Sequence, residues 1–256
     1  MGRVRSAYVE DARAWGFAPW MAGVLLAAPF VAVVGLTLLL PFRDVFFWLT
    51  DEDSIIEWAQ FACLLGIVLG SGTVTVIAAR RRVPWVALLF GAITLAALFV
   101  TGEEISWGQR IFGWATPEIL SEANRQNESN IHNIIPIQRA FGIAELLAGA
   151  YGLLVPLVLV AAPRRWRLPP RAYLVVPSLA LGSAFAVALV YRFSRLTFLD
   201  DAGRTANRYG ELAELVLYAA ILVHLVLSAR RLRLPSARGF TGMKSAVPGT
   251  GSPAEG

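Results

Sequence analysis

Six apolar runs follow one another along the sequence, and each is long enough to cross a lipid bilayer as a helix. The hydrocarbon core of a bilayer is about 30 Å thick, which takes about 20 helical residues. The runs lie at about 18–41, 54–79, 84–102, 137–162, 172–194 and 207–228. Hydrophobic residues make up 56% of the chain and charged residues only 16%, so a soluble domain of this size could not cover itself with polar surface. These features predict an all-α fold for residues 1–234, a polytopic bundle of six transmembrane helices.

Basic residues indicate how the predicted bundle is oriented, because cytoplasmic loops collect Lys and Arg. If the chain starts inside, most of its 23 basic residues fall on the cytoplasmic side. They are Arg3, Arg5, Arg13, Arg80, Arg81, Arg82, Arg164, Arg165, Arg167, Arg171, Arg230, Arg231, Arg233, Arg238 and Lys244. The pattern predicts cytoplasmic termini (N-in/C-in) and a disordered cytoplasmic tail over 235–256, which is rich in Pro and Gly. Because the arginines are spread over loops and form no single soluble face, nucleic acid is not an expected partner.

The longest predicted loop, residues 103–136, lies on the predicted outer side. The other predicted connections are shorter, so the length of this one indicates a role of its own. It contains most of the run GEEISWGQR (102–110) and then NRQNESNIHN (124–133). Its candidate site residues are Glu103, Glu104, Ser106, Gln109, Arg110, Asn130 and His132. At helical spacing Glu103, Trp107 and Arg110 share one face, and the two glutamates could equally be solvated and paired with Arg110.

Acidic side chains also lie inside the predicted spans. Glu145 lies about two turns into the fourth span, and Glu211 and Glu214 are spaced to share one face of the sixth. Ionisable residues within a membrane are rare and usually face a cavity or a partner, so these three are candidate site residues. Arg192 of the fifth span approaches the same side as a counter-ion, an anion binder or a snorkelling anchor.

Local roles explain two of the glutamates without any active site. Ser54 and Glu57 have the spacing of a capping box at the start of the second span. Glu211 falls in the first turn of the predicted sixth span, where the helix dipole favours a carboxylate, and Arg208 is spaced to pair with it. The deeper glutamates of the fourth and sixth spans have no such explanation.

A histidine and several carboxylates on the predicted outer side suit a divalent metal ion. The predicted ligands are His132, Glu104, Glu211 and Glu214. The sequence contains no HExxH motif, Walker loop or dinucleotide fingerprint. Its single cysteine, Cys63, excludes an internal disulfide and a cysteine-rich zinc site.

The run GEEISWGQR, followed by NRQNESNIHN, resembles a signature of bacterial polytopic membrane proteins whose activity is not established. The resemblance covers about residues 102–134, and it implies a specialised site in a multi-pass protein of the bacterial cytoplasmic (inner) membrane. In architecture the chain is also similar to alkaline ceramidase-like membrane hydrolases, which build a zinc site from a serine, an aspartate and histidines in a seven-helix bundle. Ser129 and His132 resemble their Ser and His at a different spacing, whereas the paired histidines near the last helix are missing here.

Convergence of these groups on one side predicts a membrane-embedded, metal-dependent enzyme for a lipid or lipid-linked substrate of the outer leaflet. Its catalytic residues would be Glu103, Glu104, His132, Glu145 and Glu214. The metal ion would polarise an ester, amide or phosphoryl oxygen, and a carboxylate would act as general base. Membrane lipids would be its partners.

Two other functions fit the same residues. In a proton-coupled transporter or permease, Glu145 and Glu214 would carry protons and Arg192 would modulate them, with Gly and Pro providing broken helices. In a non-catalytic subunit of a membrane complex, the loop 103–136 would dock a partner.

Overall fold

The computed structural model describes residues 2–51, 53–118, 129–131, 134–162, 168–198 and 203–234, and all regular structure in these ranges is helical. The α-helices are α1 (Gly2–Ala14), α2 (Pro19–Leu38), α3 (Arg43–Thr50), α4 (Ile55–Arg80), α5 (Pro84–Glu104), α6 (Gln109–Phe112), α7 (Ile135–Ala161), α8 (Gly182–Thr197) and α9 (Gly203–Arg233). Short 3₁₀ helices cover Ser106–Gly108, Pro170–Leu174 and Leu179–Leu181. The predicted tail 235–256 lies outside the described residues.

Within these ranges, six stretches are long and apolar enough to cross a membrane. They are Pro19–Leu38, Arg43–Arg80, Pro84–Glu104, Pro136–Ala161, Arg171–Thr197 and Gly203–Arg233. Each predicted span overlaps one of them, which confirms the all-α, six-span fold class. The N-in/C-in orientation stays a prediction.

Prolines and one capping serine mark where the spans begin. Pro19 and Pro84 stand in the first turns of α2 and α5, where a missing N–H costs nothing. At the start of α4 the Glu57 N–H donates to Ser54 Oγ over 3.3 Å, and the Asp53 N–H donates to the Glu57 carboxylate over 2.5 Å. The predicted capping box is therefore confirmed, with its return bond made one residue before the N-cap.

The bundle has two chemically different ends. Helices α4 and α9 run side by side in the same direction, because Gln60 donates to the Glu211 carbonyl near their starts and Arg81 donates to the Arg233 carbonyl near their ends. We call the end that carries Glu104 and Glu211 the acidic end, and the end that carries Arg81 and Arg233 the basic end. Helices α5 and α8 end at the acidic end, whereas α7 begins there.

Helix α7 approaches α8 through glycine. A Cβ added at Gly149 would lie 2.9 Å from the backbone nitrogen of Leu189, closer than real side chains allow. Glu145 lies one turn before Gly149, and Arg192 lies one turn after Leu189. The close helix contact therefore sets the distance between these two charged residues.

Replacing Gly149 by alanine is expected to lower the free energy of unfolding by roughly 1–3 kcal/mol, as overpacking of a tight contact does. The nearest atoms belong to the backbone, so no flexible side chain can move aside to make room. Thermal unfolding of the detergent-purified variant measures the effect. Gly142→Ala in the same helix is the control, because nothing lies within 4 Å of a Cβ there, and equal stability of the two variants would contradict the prediction.

The fifth span, which the sequence predicts over 172–194, is an interrupted helix. Two 3₁₀ turns, Pro170–Leu174 and Leu179–Leu181, precede α8, which starts only at Gly182. Pro177 lies between them and has no N–H for a helical hydrogen bond, and Ser178 caps the second turn by accepting from the Ala180 N–H over 3.2 Å.

Neighbouring helices satisfy the backbone groups that this interruption exposes. Ser228 of α9 donates to the Leu174 carbonyl, and Tyr151 of α7 donates to the Val175 carbonyl, each over 2.9 Å. Irregular backbone at membrane depth is tolerated where protein groups replace the missing helical bonds. The span is therefore a broken helix that the bundle holds in place.

Candidate functional site

Three helices bring one arginine between two glutamates near the acidic end. Arg192, in the second half of α8, donates through Nε to Glu145 of α7 and through Nη2 to Glu214 of α9. The exposed fractions of the three side chains are 18%, 12% and 21% for Arg192, Glu145 and Glu214. We call these residues the Arg192 triad. Of the roles that the sequence left open for Arg192, this geometry is that of a counter-ion.

Among the residues that the structure describes, the triad has two carboxylates for one guanidinium, and further carboxylates lie close to it. Glu211 lies one turn before Glu214 on α9 and is close enough for their charges to repel. One turn after Glu214, Tyr218 is buried within electrostatic range of both triad carboxylates and of Glu104. Charges taken out of water are costly unless they are balanced. The arrangement therefore favours a bound proton or another cation.

Glu211 lies deeper in its helix than the sequence predicts. Because α9 begins at Gly203, Glu211 is about two turns past the start, so its predicted place in the first turn was wrong. Its Oε1 is 3.9 Å from Nη1 of Arg208, whose Nη2 makes a shorter ion pair of 2.9 Å with Asp51. The predicted pairing with Arg208 is present, but Asp51 competes for the guanidinium.

Glu103 ties the long loop to the end of α5. Its side chain is 1% exposed, and its two oxygens accept from Nε1 of Trp107 over 2.6 Å and from the N–H of Ile131 over 2.7 Å. Beside it, Nδ2 of the buried Asn130 donates to the buried Ser106 Oγ over 3.0 Å. We call Glu103, Ser106, Trp107, Asn130 and Ile131 the loop clasp.

Gln109 adds two further bonds to the same loop. Its Nε2 donates to Thr116 Oγ1 over 2.8 Å, and its Oε1 accepts from the Ser129 N–H over 2.6 Å. The amide thus links the segment just after α6 to the segment that returns toward α7. Gln109 was a candidate site residue, and these two hydrogen bonds are with the protein's own loop.

The chain turns sharply within the GEEISWGQR run. Helix α5 ends at Glu104, and Ser106 and Trp107 have positive φ angles of 49° and 55°. The prediction that residues 103–110 continue as one helical face was therefore wrong. The turn folds the Trp107 ring back over Gly102, where an added Cβ would lie 2.9 Å from the ring. Only glycine at 102 leaves room for this contact.

The structure divides the predicted catalytic residues between two places. Glu103 belongs to the loop clasp, Glu145 and Glu214 belong to the triad, and Glu104 lies within electrostatic range of Tyr218 beside the triad. His132 and the side chain of Arg110 lie outside the described part of the chain. Sequence reasoning missed Gln60 and Asp51; a lone amide within the apolar run of α4 was the available signal for Gln60.

Metal binding by His132, Glu104, Glu211 and Glu214 stays a prediction. Among the residues that the structure describes, no group of three or more His, Cys, Asp and Glu side chains is close enough to hold a metal ion. A site made with His132 would include a residue beyond these ranges.

A second buried polar group, which the sequence did not predict, lies at the basic end. Asp11 of α1 accepts from the Ser178 hydroxyl over 2.6 Å and from the Leu179 N–H over 2.8 Å, at the break in the fifth span. Arg231 of α9 stacks over the Trp15 ring, with its guanidinium carbon 3.3 Å from the ring centre. Through these contacts α1 docks against the two spans that also carry triad residues.

Docking of α1 is expected to weaken as the pH rises. Burial raises the pKa of the Asp11 carboxyl above its ordinary value, and the bonds from Ser178 and Leu179 and the charge of Arg231 offset only part of this effect. The docked state therefore binds a proton more tightly than the undocked state, so protonation favours docking and deprotonation weakens it. Hydrogen exchange of the α1 amides between about pH 4 and about pH 8 measures this dependence.

Asp11→Asn is expected to remove that pH dependence, because the amide keeps an acceptor oxygen but cannot titrate. Glu10→Gln, a neutral replacement of the neighbouring acidic residue in the same helix, is the control and should behave as the wild type. A wild-type α1 whose protection is equal across the pH range would contradict the prediction.

Comparisons with protein-family models, with curated proteins and with solved structures found no match.

Proposed function

We propose that this chain is a proton-coupled membrane transporter, in which Glu145 and Glu214 carry protons and Arg192 modulates them. The observation that carries the proposal is the Arg192 triad, where carboxylates of two spans meet at one guanidinium of a third. One guanidinium balances one carboxylate, so the triad is neutral only when a proton or another cation is also present. Ionisable groups held between spans in this way mark proton and ion pathways.

The broken fifth span supports the proposal. Interrupted helices in transporters place polar backbone groups at substrate and ion sites, and they give a bundle points about which its halves can move. Here the interruption and the triad belong to the same span, with Ser178 at the break and Arg192 in the α-helix that follows. At the basic end, Asp11 and His224 provide further polar groups near the break.

The charge of the acidic end favours a cationic substrate. Glu104 and Glu211 add to the two triad carboxylates, and in the described part of the chain Glu145, Glu214 and Glu211 pair with Arg192 and Arg208. A site with an excess of carboxylates attracts small cations and repels anions. We therefore propose that the protein exchanges protons for an alkali cation or a small ammonium ion.

The test is proton flux in proteoliposomes that contain a trapped pH-sensitive dye. After a pH gradient is imposed, Na⁺, K⁺ or methylammonium is added outside, and the wild type is expected to move protons in response to one of them. Glu214→Gln should reduce this flux to that of protein-free liposomes, whereas Asp44→Asn, at an exposed position of α3, should not. A wild type that responds to none of these cations, or a Glu214→Gln variant with full flux, would overturn the proposal.

A second candidate function is an enzyme for a lipid or lipid-linked substrate, and the loop clasp is the observation that favours it. The clasp ties the loop to the end of α5, next to Glu104. With the predicted orientation, these polar groups would face the outer leaflet. In this function Glu104 and His132 would serve acid–base or metal-assisted hydrolysis. Elemental mass spectrometry of the purified protein and the lipid composition of the host test it, and Glu104→Gln and His132→Ala variants with unchanged metal and lipids would exclude it.

The protein's place in the cell is part of the same proposal. A multi-pass protein with arginine-rich loops at one end fits the bacterial cytoplasmic membrane with both termini inside. Protease protection of termini that carry epitope tags, in inside-out and right-side-out vesicles, tests this orientation.

A further inference from the structure

A buried amide in α4 has an oxygen without a hydrogen-bond donor in the described part of the chain. Gln60 is 0% exposed, and its Nε2 donates to the backbone carbonyl of Glu211 over 2.7 Å. Because a carbonyl oxygen can only accept, this bond fixes which end of the amide is nitrogen. The Oε1 atom of Gln60 is then left without a donor, and leaving such a buried acceptor unsatisfied is costly.

The Glu211 carboxyl contacts the same amide and has only a weakly paired counter-charge among the described residues. Its Oε2 lies 3.3 Å from Nε2 of Gln60, and its ion pair with Arg208 is long, with 3.9 Å between Oε1 and Nη1. Two other carboxylates, Glu57 of α4 and Glu214 of α9, lie close enough to repel a charge on Glu211. An ionised Glu211 would therefore lack a full counter-charge in the bundle.

We infer that Glu211 holds a proton and donates it to Oε1 of Gln60, so that the two side chains form a carboxylic acid–amide pair. The amide N–H donates to one oxygen of the acid, and the acid O–H donates to the amide oxygen. One proton, taken from water at the acidic end, thus satisfies Oε1 and removes the unbalanced charge. The pair offers three side-chain oxygens, and its amide nitrogen is a donor, so it makes a poor set of ligands for a hard metal ion, which takes about six or more oxygens.

Charged and titratable groups face this pair from every helix packed around it. They are Glu57 of α4, Arg208 and Glu214 of α9, Asp51 at the end of α3, Tyr191 and Arg192 of α8, and Glu145 of α7. The carboxylates oppose ionisation of Glu211, and the arginines that would favour it already pair with Asp51, Glu145 and Glu214. Passage of the proton from Glu211 to the triad is the one step that depends on the proposed transport function.

Infrared difference spectroscopy of the protein in lipid nanodiscs tests the pair, because a protonated carboxyl has a C=O band that an ionised carboxylate lacks. At neutral pH the wild type is expected to show this band, with a shift in D₂O. Glu211→Gln should remove the component of the band that belongs to Glu211, and Gln60→Leu should move that component to higher frequency because the hydrogen bond is lost. Asp44→Asn, at an exposed position of α3, is the control and should leave the band unchanged.

Stability gives a second readout in case one variant folds poorly. Because glutamine mimics a neutral glutamic acid, Glu211→Gln should keep the wild-type melting temperature at neutral pH and should lose less stability at alkaline pH. Absence of the band in the wild type, or a band that Glu211→Gln leaves unchanged, would overturn the pair. Neither measurement requires transport, so absent flux with an intact band overturns only the transporter, and normal flux without the band overturns only the pair.

Discussion

Replacing Arg192 by glutamine is expected to destabilise the protein by about 3–5 kcal/mol, the usual cost of removing one partner from a buried ion pair. The variant leaves Glu145 and Glu214 facing each other in a low-dielectric environment with no cation between them. Most of the cost comes from this uncompensated charge, because removing one partner of a buried ion pair leaves the other buried without a counter-charge. Thermal unfolding in detergent and in nanodiscs measures the loss.

The triple variant with Arg192, Glu145 and Glu214 all changed to glutamine separates this cause from a general intolerance of substitution. Neutral groups of similar volume can replace a buried ionic network at little cost, so the triple variant should recover most of the stability while losing proton flux. Arg80→Gln, at an exposed position of the basic end, controls for the loss of a positive charge. If Arg192→Gln is as stable as Arg80→Gln, the ion pairs of the triad contribute little to the free energy of unfolding, and the prediction is wrong.

The fold was predictable because long apolar runs have few alternatives in a bilayer, where backbone groups must be satisfied within the segment. The fifth span is the exception. The run at 172–194 is as apolar as the others, yet its helix is interrupted at Pro177. The bundle tolerates this interruption because Asp11, Tyr151 and Ser228 satisfy the freed backbone groups from elsewhere in the chain. Hydropathy measures how apolar a segment is, and it contains no information about such distant partners.

The site was only partly predictable. Glu145, Glu214 and Arg192 could be named because charge is rare within spans, but their meeting depends on how α7, α8 and α9 pack. Glu103 and Glu104 are neighbours of the same type in the sequence, and the turn after α5 brings the loop to Glu103, whereas Glu104 lies within electrostatic range of Tyr218. Single-sequence reasoning had no means of placing that turn, since Ser106 and Trp107 are not residues that usually take a positive φ.

Replacing Glu103 by leucine is expected to release the long loop from the bundle. The change leaves the Trp107 and Ile131 N–H groups without their buried acceptor, and hydrogen bonds to a charged group contribute about 1.5–3 kcal/mol each. Hydrogen exchange should therefore rise at Ile131 and across residues 102–118, while α7 to α9 keep their protection. Limited proteolysis should cut the loop faster than in the wild type.

Comparing Glu103→Leu with Glu103→Gln distinguishes a structural role of Glu103 from the catalytic role that the sequence suggested. Glu103→Gln keeps one acceptor oxygen but offers an NH₂ group where the second donor now points, so we expect release of the loop that is weaker than with leucine. If Glu103 only positions the loop, activity or flux should fall in proportion to the measured loss of protection in both variants, with Asp44→Asn as the unaffected control. If Glu103→Gln loses function while the loop stays fully protected from exchange, Glu103 has a catalytic role. In that case the loop clasp is intact, and only the chemistry of the carboxylate has changed.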